Sequence, residues 1–261
     1  MRIAVITGAS SGLGKLFAKE IVRTEKDIDG FWLIARREEK LQETADSLPL
    51  PSRIFPLDLT DLSSFNIIKN ALRESDVEVG ILINAAGFGK IGNYQRVSRE
   101  DSDRMIDLNC RAAVDMTMLC LPYMRRGDRV MEICSTAAFQ PFPYLNIYAA
   151  TKSFLYNYSR ALRWELRPRG ITVTAVCPYW MKDTEFIPFA QKNDACQSTK
   201  DAIRGYPLSQ KSVAVVRRAL RDSRIGLAVS TPGIVPTVHR ISAKVIPRSL
   251  MMWIWEGLRR L

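Results

Sequence analysis

Histidine is nearly absent from this 261-residue chain, in which His239 stands alone. A zinc site would need other ligands, and a serine hydrolase would have this one candidate base, so a surface or packing role is expected for it. Cysteine is scattered: Cys110, Cys120, Cys134, Cys177 and Cys196 show neither the close pairing of a zinc site nor the density of a small disulfide scaffold. They read as reduced, mostly buried thiols. No apolar stretch is long enough to span a bilayer. The apolar run at Met1 to Ile6 is too short for a secretory leader and runs directly into a glycine turn, so a cytoplasmic location is expected. Internal repeats, low-complexity tracts and linkers are also missing.

Hydrophobic residues make up 47% of the chain, enough for one large core, whereas two independent domains would be cramped. The expectation is a single domain over residues 1–261. Apolar runs of strand length alternate with amphipathic stretches of helix length, the pattern of an α/β fold whose parallel sheet is covered on both faces. Strands are expected at Ile3 to Ile6, Phe31 to Ala35, Arg53 to Leu57, Val79 to Ile83, Arg129 to Cys134, Ile171 to Val176 and Gly226 to Val229. Helices are expected to begin near Gly12, Glu38, Leu62, Arg99, Tyr144 and Gln210, the one from Tyr144 ending at Pro168-Arg169-Gly170. From Pro178 to Pro207 the alternation breaks, which marks a loop beyond a strand's carboxyl end, where ligands sit in such folds.

Between the first strand and first helix lies Thr7-Gly8-Ala9-Ser10-Ser11-Gly12-Leu13-Gly14, where glycines allow backbone N–H groups to approach a phosphate. At the end of the second strand a carboxylate would accept from the free 2′-hydroxyl of NAD, but the chain has Ala35-Arg36-Arg37, two guanidiniums suited to the 2′-phosphate of NADP. Arg36 is the first choice for this contact and Arg37 the second. Tyr148 and Lys152 stand one helical turn apart, with Ser135 upstream at a strand end. A phenol titrates near ~10 and needs a neighbouring positive charge to serve as an acid-base group near neutrality.

This set of motifs resembles the short-chain dehydrogenase/reductase family, in its single-domain NADP-dependent branch, from residue 1 to about residue 178. The resemblance implies a Rossmann-like doubly wound sheet and an NADP(H)-dependent enzyme that interconverts a secondary alcohol and a ketone. It makes Asn109, Ser135, Tyr148 and Lys152 the catalytic set, with Tyr148 as acid-base group, Ser135 on the substrate oxygen, Lys152 on Tyr148 and the nicotinamide ribose, and Asn109 ordering a water. It assigns cofactor contacts to Gly8, Ser10, Ser11, Gly12, Leu13, Gly14, Arg36, Arg37, Asp58, Leu59, Asn84, Ala85, Gly87, Tyr148, Lys152, Pro178 and Thr184. Two departures stand out. Ala85 replaces a second asparagine common in the family, and Tyr179 replaces the glycine after Pro178, which makes Thr184 a provisional contact.

Phe88, Phe139, Phe142, Tyr144, Tyr179, Trp180, Phe186 and Phe189 crowd the expected mouth, so the substrate is expected to be a lipophilic carbonyl or alcohol, steroid-like or fatty. The net charge of +11 owes much to the last fifty residues, but no nucleic-acid recognition motif accompanies it, and no nucleic-acid partner is expected. Residues 240–261 read as a basic amphipathic segment that either packs on protein or rests weakly on a membrane surface. The family also implies a homodimer or homotetramer. Two other readings share the motifs. A non-catalytic NADP-binding sensor is opposed by the complete catalytic set, and a sugar-nucleotide epimerase by Arg36.

Overall fold

The computed structural model describes residues 1–191 and 208–259. Cys196, Pro207 and Arg260, with the second half of the expected 178–207 loop, lie outside the described residues. In chain order the elements are β1 (Arg2–Thr7), α1 (Gly12–Thr24), β2 (Gly30–Ala35), α2 (Glu38–Asp46), β3 (Ser52–Pro56), α3 (Ser63–Glu74), β4 (Glu78–Asn84) and α4 (Arg99–Ile106). A π-helical turn over Asp107–Arg111 leads into α5 (Ala112–Cys120), β5 (Arg129–Ile133), α6 (Asn146–Glu165), β6 (Thr172–Val176) and α7 (Phe186–Gln191). The chain continues with α8 (Ser212–Arg224), β7 (Val229–Ser230), α9 (Ile234–Val245) and α10 (Arg248–Leu258).

The seven strands form one parallel sheet in the order β3-β2-β1-β4-β5-β6-β7. Alternation along β1 explains its two covered faces. Ile3 and Val5 join Phe65, Ile68, Met116 and Leu162 under α3, α5 and α6, while Ala4 and Ile6 join Phe17, Ile21, Leu41 and Val216 under α1, α2 and α8. The strand order reverses between β1 and β4, and a crevice opens there at the carboxyl ends of the strands.

Three expected boundaries move. Tyr144 is not helical: its φ of 67° lies in the left-handed region, and α6 starts only at Asn146. The last strand starts at Val229 rather than Gly226, because Gly226, at φ 72°, closes α8. The Gly226 and Leu227 N–H groups turn back to the Ser223 and Asp222 carbonyls at 3.0 and 2.8 Å. The C-terminal segment 240–261 divides between the end of α9 and α10. Pro236 occupies the first turn of α9, where its missing N–H costs nothing, and Pro247 precedes α10.

Beneath the crevice Glu132 is fully buried in β5, accepting from Asn84 Nδ2 and from Thr117 Oγ1, both at 2.9 Å. Burial pushes its carboxyl up to about 7 against those hydrogen bonds. A carboxyl raised in the folded state contributes stability below its unfolded value near 4.5 that is lost as pH rises through about 7. Glu132→Gln keeps the accepting oxygen without the charge. It is therefore expected to be the more stable protein at pH 8, by on the order of 3 kcal/mol, and to converge with the parent near pH 4. Urea denaturation at both pH values checks this, and equal pH dependence in the two proteins would refute it.

Candidate active site

The glycine turn lies directly against the loop after β4. Gly8, at φ 68°, sits where a Cβ would come within 2.8 Å of the Ala86 backbone nitrogen, and the Gly8 carbonyl fills the place of a Cβ on Gly14. The Thr7 hydroxyl locks the two segments together by accepting from Ala86 N at 3.0 Å. Gly12 begins α1 at φ 51° with open space where a side chain would stand. A helix N-terminus with an open backbone approach can hold a phosphate.

Both arginines reach this end of the crevice, but differently. Arg37 donates to Ser11 Oγ at 2.7 Å and Ser10 Oγ at 3.4 Å, which ties it to the glycine turn. Arg36 is half exposed and faces Asp58 at 3.8 Å. Glu185 bridges Arg37 at 2.9 Å and Lys40 at 3.0 Å, and these hydrogen bonds hold its carboxyl down at about 2. Burial alone would raise the Asp58 carboxyl, but hydrogen bonds from Thr60 and the charges of Arg36 and Arg104 bring it below its usual value.

Tyr148 and Lys152 lie on one face of α6, both buried. Ser135, just past the end of β5, accepts from Ala137 N at 3.1 Å, and its hydroxyl acts on the Tyr148 phenol, favouring its ionised form. Lys152 Nζ donates to the Ile133 carbonyl at 2.7 Å and stands 5.8 Å from the Tyr148 ring centre. Burial lowers the Lys152 ammonium. The expected lowering of Tyr148 is not found: burial holds the phenol above its usual range, and Ser135 opposes that only in part. Asn109 belongs to the π-helical turn, with Oδ1 accepting from Phe88 N at 3.0 Å and Nδ2 donating to Phe88 O at 2.9 Å and Thr151 Oγ1 at 3.0 Å. A Cβ on Gly87 would come within 2.8 Å of Asn109 Oδ1 and 3.4 Å of Lys152 Nζ, so glycine is what lets these groups converge.

One continuous cavity of about 620 Å³ runs from the glycine turn past Ser135, Tyr148 and Lys152 to the C-terminal helices. Gly8, Ser10, Ser11, Gly12, Leu13, Gly14, Arg36, Arg37, Asp58, Leu59, Ala85, Gly87, Pro178 and Thr184 line it as expected. Asn84 does not. Its amide turns into the core toward Ala113 O, Thr117 and Glu132, because the neighbouring strand and helix offer it three acceptors there. Asn109 also stays off the wall, held by the Phe88 backbone. Of the aromatics expected at the mouth, Phe88, Phe142, Tyr179, Trp180, Phe186 and Phe189 line the cavity. Phe139 instead packs edge-on against Tyr156 and His239, and Tyr144 lies under the Arg259 guanidinium at 3.7 Å.

Sequence reasoning missed the far wall, built by Gln140, Leu145, Val235, His239, Met251 and Trp255. Its residues belong to no sequence motif, and which side of α9 and α10 turns inward is set by packing. One face of the C-terminal segment packs on the domain. Trp255 stacks edge-on against Phe142 at 4.9 Å and donates to the Pro143 carbonyl at 3.1 Å, and Met251 is buried.

The sequence matches the short chain dehydrogenase family over residues 2–194, so the chain belongs to that family of oxidoreductases. It is 30% identical over 219 residues to the 17-beta-hydroxysteroid dehydrogenase type 3 of Mus musculus, spanning 80% of this chain and 70% of the mouse protein. It is also 30% identical over 188 residues to the very-long-chain 3-oxoacyl-CoA reductase of Homo sapiens, spanning 68% and 59% of the two chains. Among solved structures, a short-chain dehydrogenase from Sphingobium yanoikuyae in complex with NADPH superimposes with a TM-score of 0.77 at 26% identity, covering 96% of this chain and 95% of that one.

Proposed function

We propose that this protein is an NADP(H)-dependent oxidoreductase, one domain over its whole length, that interconverts a secondary alcohol and a ketone on a lipophilic substrate. The observation that carries the reading is the convergence of Ser135, Tyr148 and Lys152 on the cavity that also contains the glycine turn, Arg36 and Arg37. The cradle at Gly8, Gly12 and Gly14 and the guanidinium pair fit the pyrophosphate and 2′-phosphate of NADP(H), the cofactor held by the Sphingobium relative. Bound NADPH supplies a hydride to the carbonyl carbon.

The chain's own groups do the rest. Ser135 donates to the carbonyl oxygen and orients it beside the phenol. Tyr148, a phenol, is protonated at neutral pH, the state in which it can give its proton to the developing alkoxide. Lys152 carries three donors, of which the Ile133 carbonyl takes one, leaving others for the nicotinamide ribose. Asn109 acts behind it by holding the Phe88 backbone in place. Asn84 serves the sheet below the cofactor rather than the cofactor itself. Aromatic and thioether side chains at the substrate end suit a lipophilic ligand, as do the names of the hydroxysteroid and very-long-chain acyl relatives. Turnover of a ketone panel with NADPH, followed by loss of its absorbance, tests the reading, and no turnover of any lipophilic ketone by NADPH-bound protein would overturn it.

The outer faces of the C-terminal helices support weak association of a cytoplasmic enzyme with anionic membrane surfaces. Ile234, Ile241, Val245, Leu250 and Trp253 are exposed there beside Lys244 and Arg248. Among the described residues no helix is long and apolar enough to cross a membrane. Full-length protein is expected to co-sediment with anionic vesicles more than with neutral ones, and Ile241→Ser with Trp253→Ser to weaken that binding at least about fivefold. Equal, negligible sedimentation would reject it. A homodimer or homotetramer finds support in the exposed Phe154 and Trp164 on α6, which analytical ultracentrifugation can test.

A further inference from the structure

The cavity that Tyr148 lines also carries two polar side chains in apolar surroundings. Gln140, 6% exposed, follows the Ser135 strand end, and His239 comes from α9. Gln140 Nε2 donates to the Met251 carbonyl at 3.3 Å, so its Oε1 is the atom that meets His239 Nε2 at 2.8 Å. The proton between them must therefore sit on His239 Nε2, and Nδ1 is left as an acceptor. Phe139 and Phe142 hold the imidazole edge-on at 5.7 and 5.9 Å, fixing its plane. Burial lowers the imidazole to about 4, so it is neutral near pH 7 and keeps that acceptor.

Resting on the reading that Ser135 and Tyr148 hold the reacting oxygen, we propose that His239, oriented by Gln140, is a second substrate-recognition point that accepts a hydrogen bond from a hydroxyl remote from the reacting carbonyl. The preferred substrate class is then a lipophilic hydroxyketone, or the corresponding diol in the reverse direction. The chemistry is selective. A neutral acceptor on an otherwise apolar wall rewards a donor, gives nothing to a hydrocarbon and leaves a desolvated lone pair unmatched when one fills the site. Gln140 is a positioning residue in this arrangement, since it sets the tautomer without needing to touch the substrate.

The test uses phenyl ketones bearing ω-hydroxyalkyl chains of graded length, each paired with its unhydroxylated counterpart. Affinity is read from tryptophan fluorescence of the NADP⁺-bound protein, since Trp255 lines the cavity, and kcat/KM from NADPH oxidation. At the chain length that reaches His239, the hydroxylated member is expected to bind about tenfold tighter. His239→Phe and Gln140→Leu should bring the ratio to about one, while His239→Asn, which keeps an acceptor at the δ position, should retain part of it. NADPH affinity and the thermal midpoint certify that each variant is folded. Equal affinities across every pair in the parent protein, or an undiminished preference in folded His239→Phe, would overturn the proposal. Binding discrimination without turnover would instead uphold the subsite and sink the assignment of ketone reduction.

Discussion

Tyr148→Phe is expected to lower turnover about 10²- to 10⁴-fold while leaving NADPH affinity within about twofold. The two effects separate because the phenol has two parts with different work. Its ring is buried against Phe186, with centroids 5.3 Å apart, and phenylalanine keeps that packing. Its hydroxyl, beside Ser135, is the group proposed to give the proton, and nothing in phenylalanine replaces it. Single-turnover kinetics with saturating NADPH, using a ketone found active with the parent protein, give the measurement. Near-normal turnover would remove Tyr148 from the acid-base role.

The second large effect is expected at the cofactor's other end. Arg36→Asp replaces a guanidinium beside Asp58 with a second carboxylate, so it removes an attraction for the 2′-phosphate and adds a repulsion. A charged hydrogen bond lost at such a site is worth about 1.5–3 kcal/mol, so the ratio of NADPH to NADH affinity should fall by on the order of 10²-fold. Arg37 provides the control, because its guanidinium is committed to Ser11 and Glu185. An unchanged ratio in Arg36→Asp together with a reduced one in Arg37→Ala would transfer the phosphate contact to Arg37. Titration of both variants with both dinucleotides decides between them.

The alternating pattern of the sequence was enough for the sheet and its order of covering helices, because each strand buried on both faces must read as a continuous apolar run. Gly8, Gly12 and Gly14 were equally legible: two of them take positive φ and the third leaves no space for a Cβ, requirements that only glycine meets. The Tyr148 and Lys152 spacing likewise set both side chains on one helix face before any packing is known. Those features are local, or follow from chain periodicity alone.

Other outcomes depended on which segments meet. Asn84 sits at a strand end where sequence suggests the cofactor, but the acceptors on Thr117 and Glu132 draw its amide inward. Tyr148 is raised rather than lowered because desolvation by surrounding elements outweighs the hydrogen bond from Ser135. The lone histidine had no motif around it. Only the fold, by bringing α9 to Gln140, 99 residues earlier in the chain, turned His239 into a cavity residue with a defined tautomer. Sequence by itself determined the sheet, the glycine turn and the placement of Tyr148 and Lys152 on one helix face, since backbone conformation and helix periodicity are written residue by residue. Tertiary structure alone decided the charge states of the buried groups and the shape of the substrate wall, since desolvation and enclosure exist only when distant segments pack together.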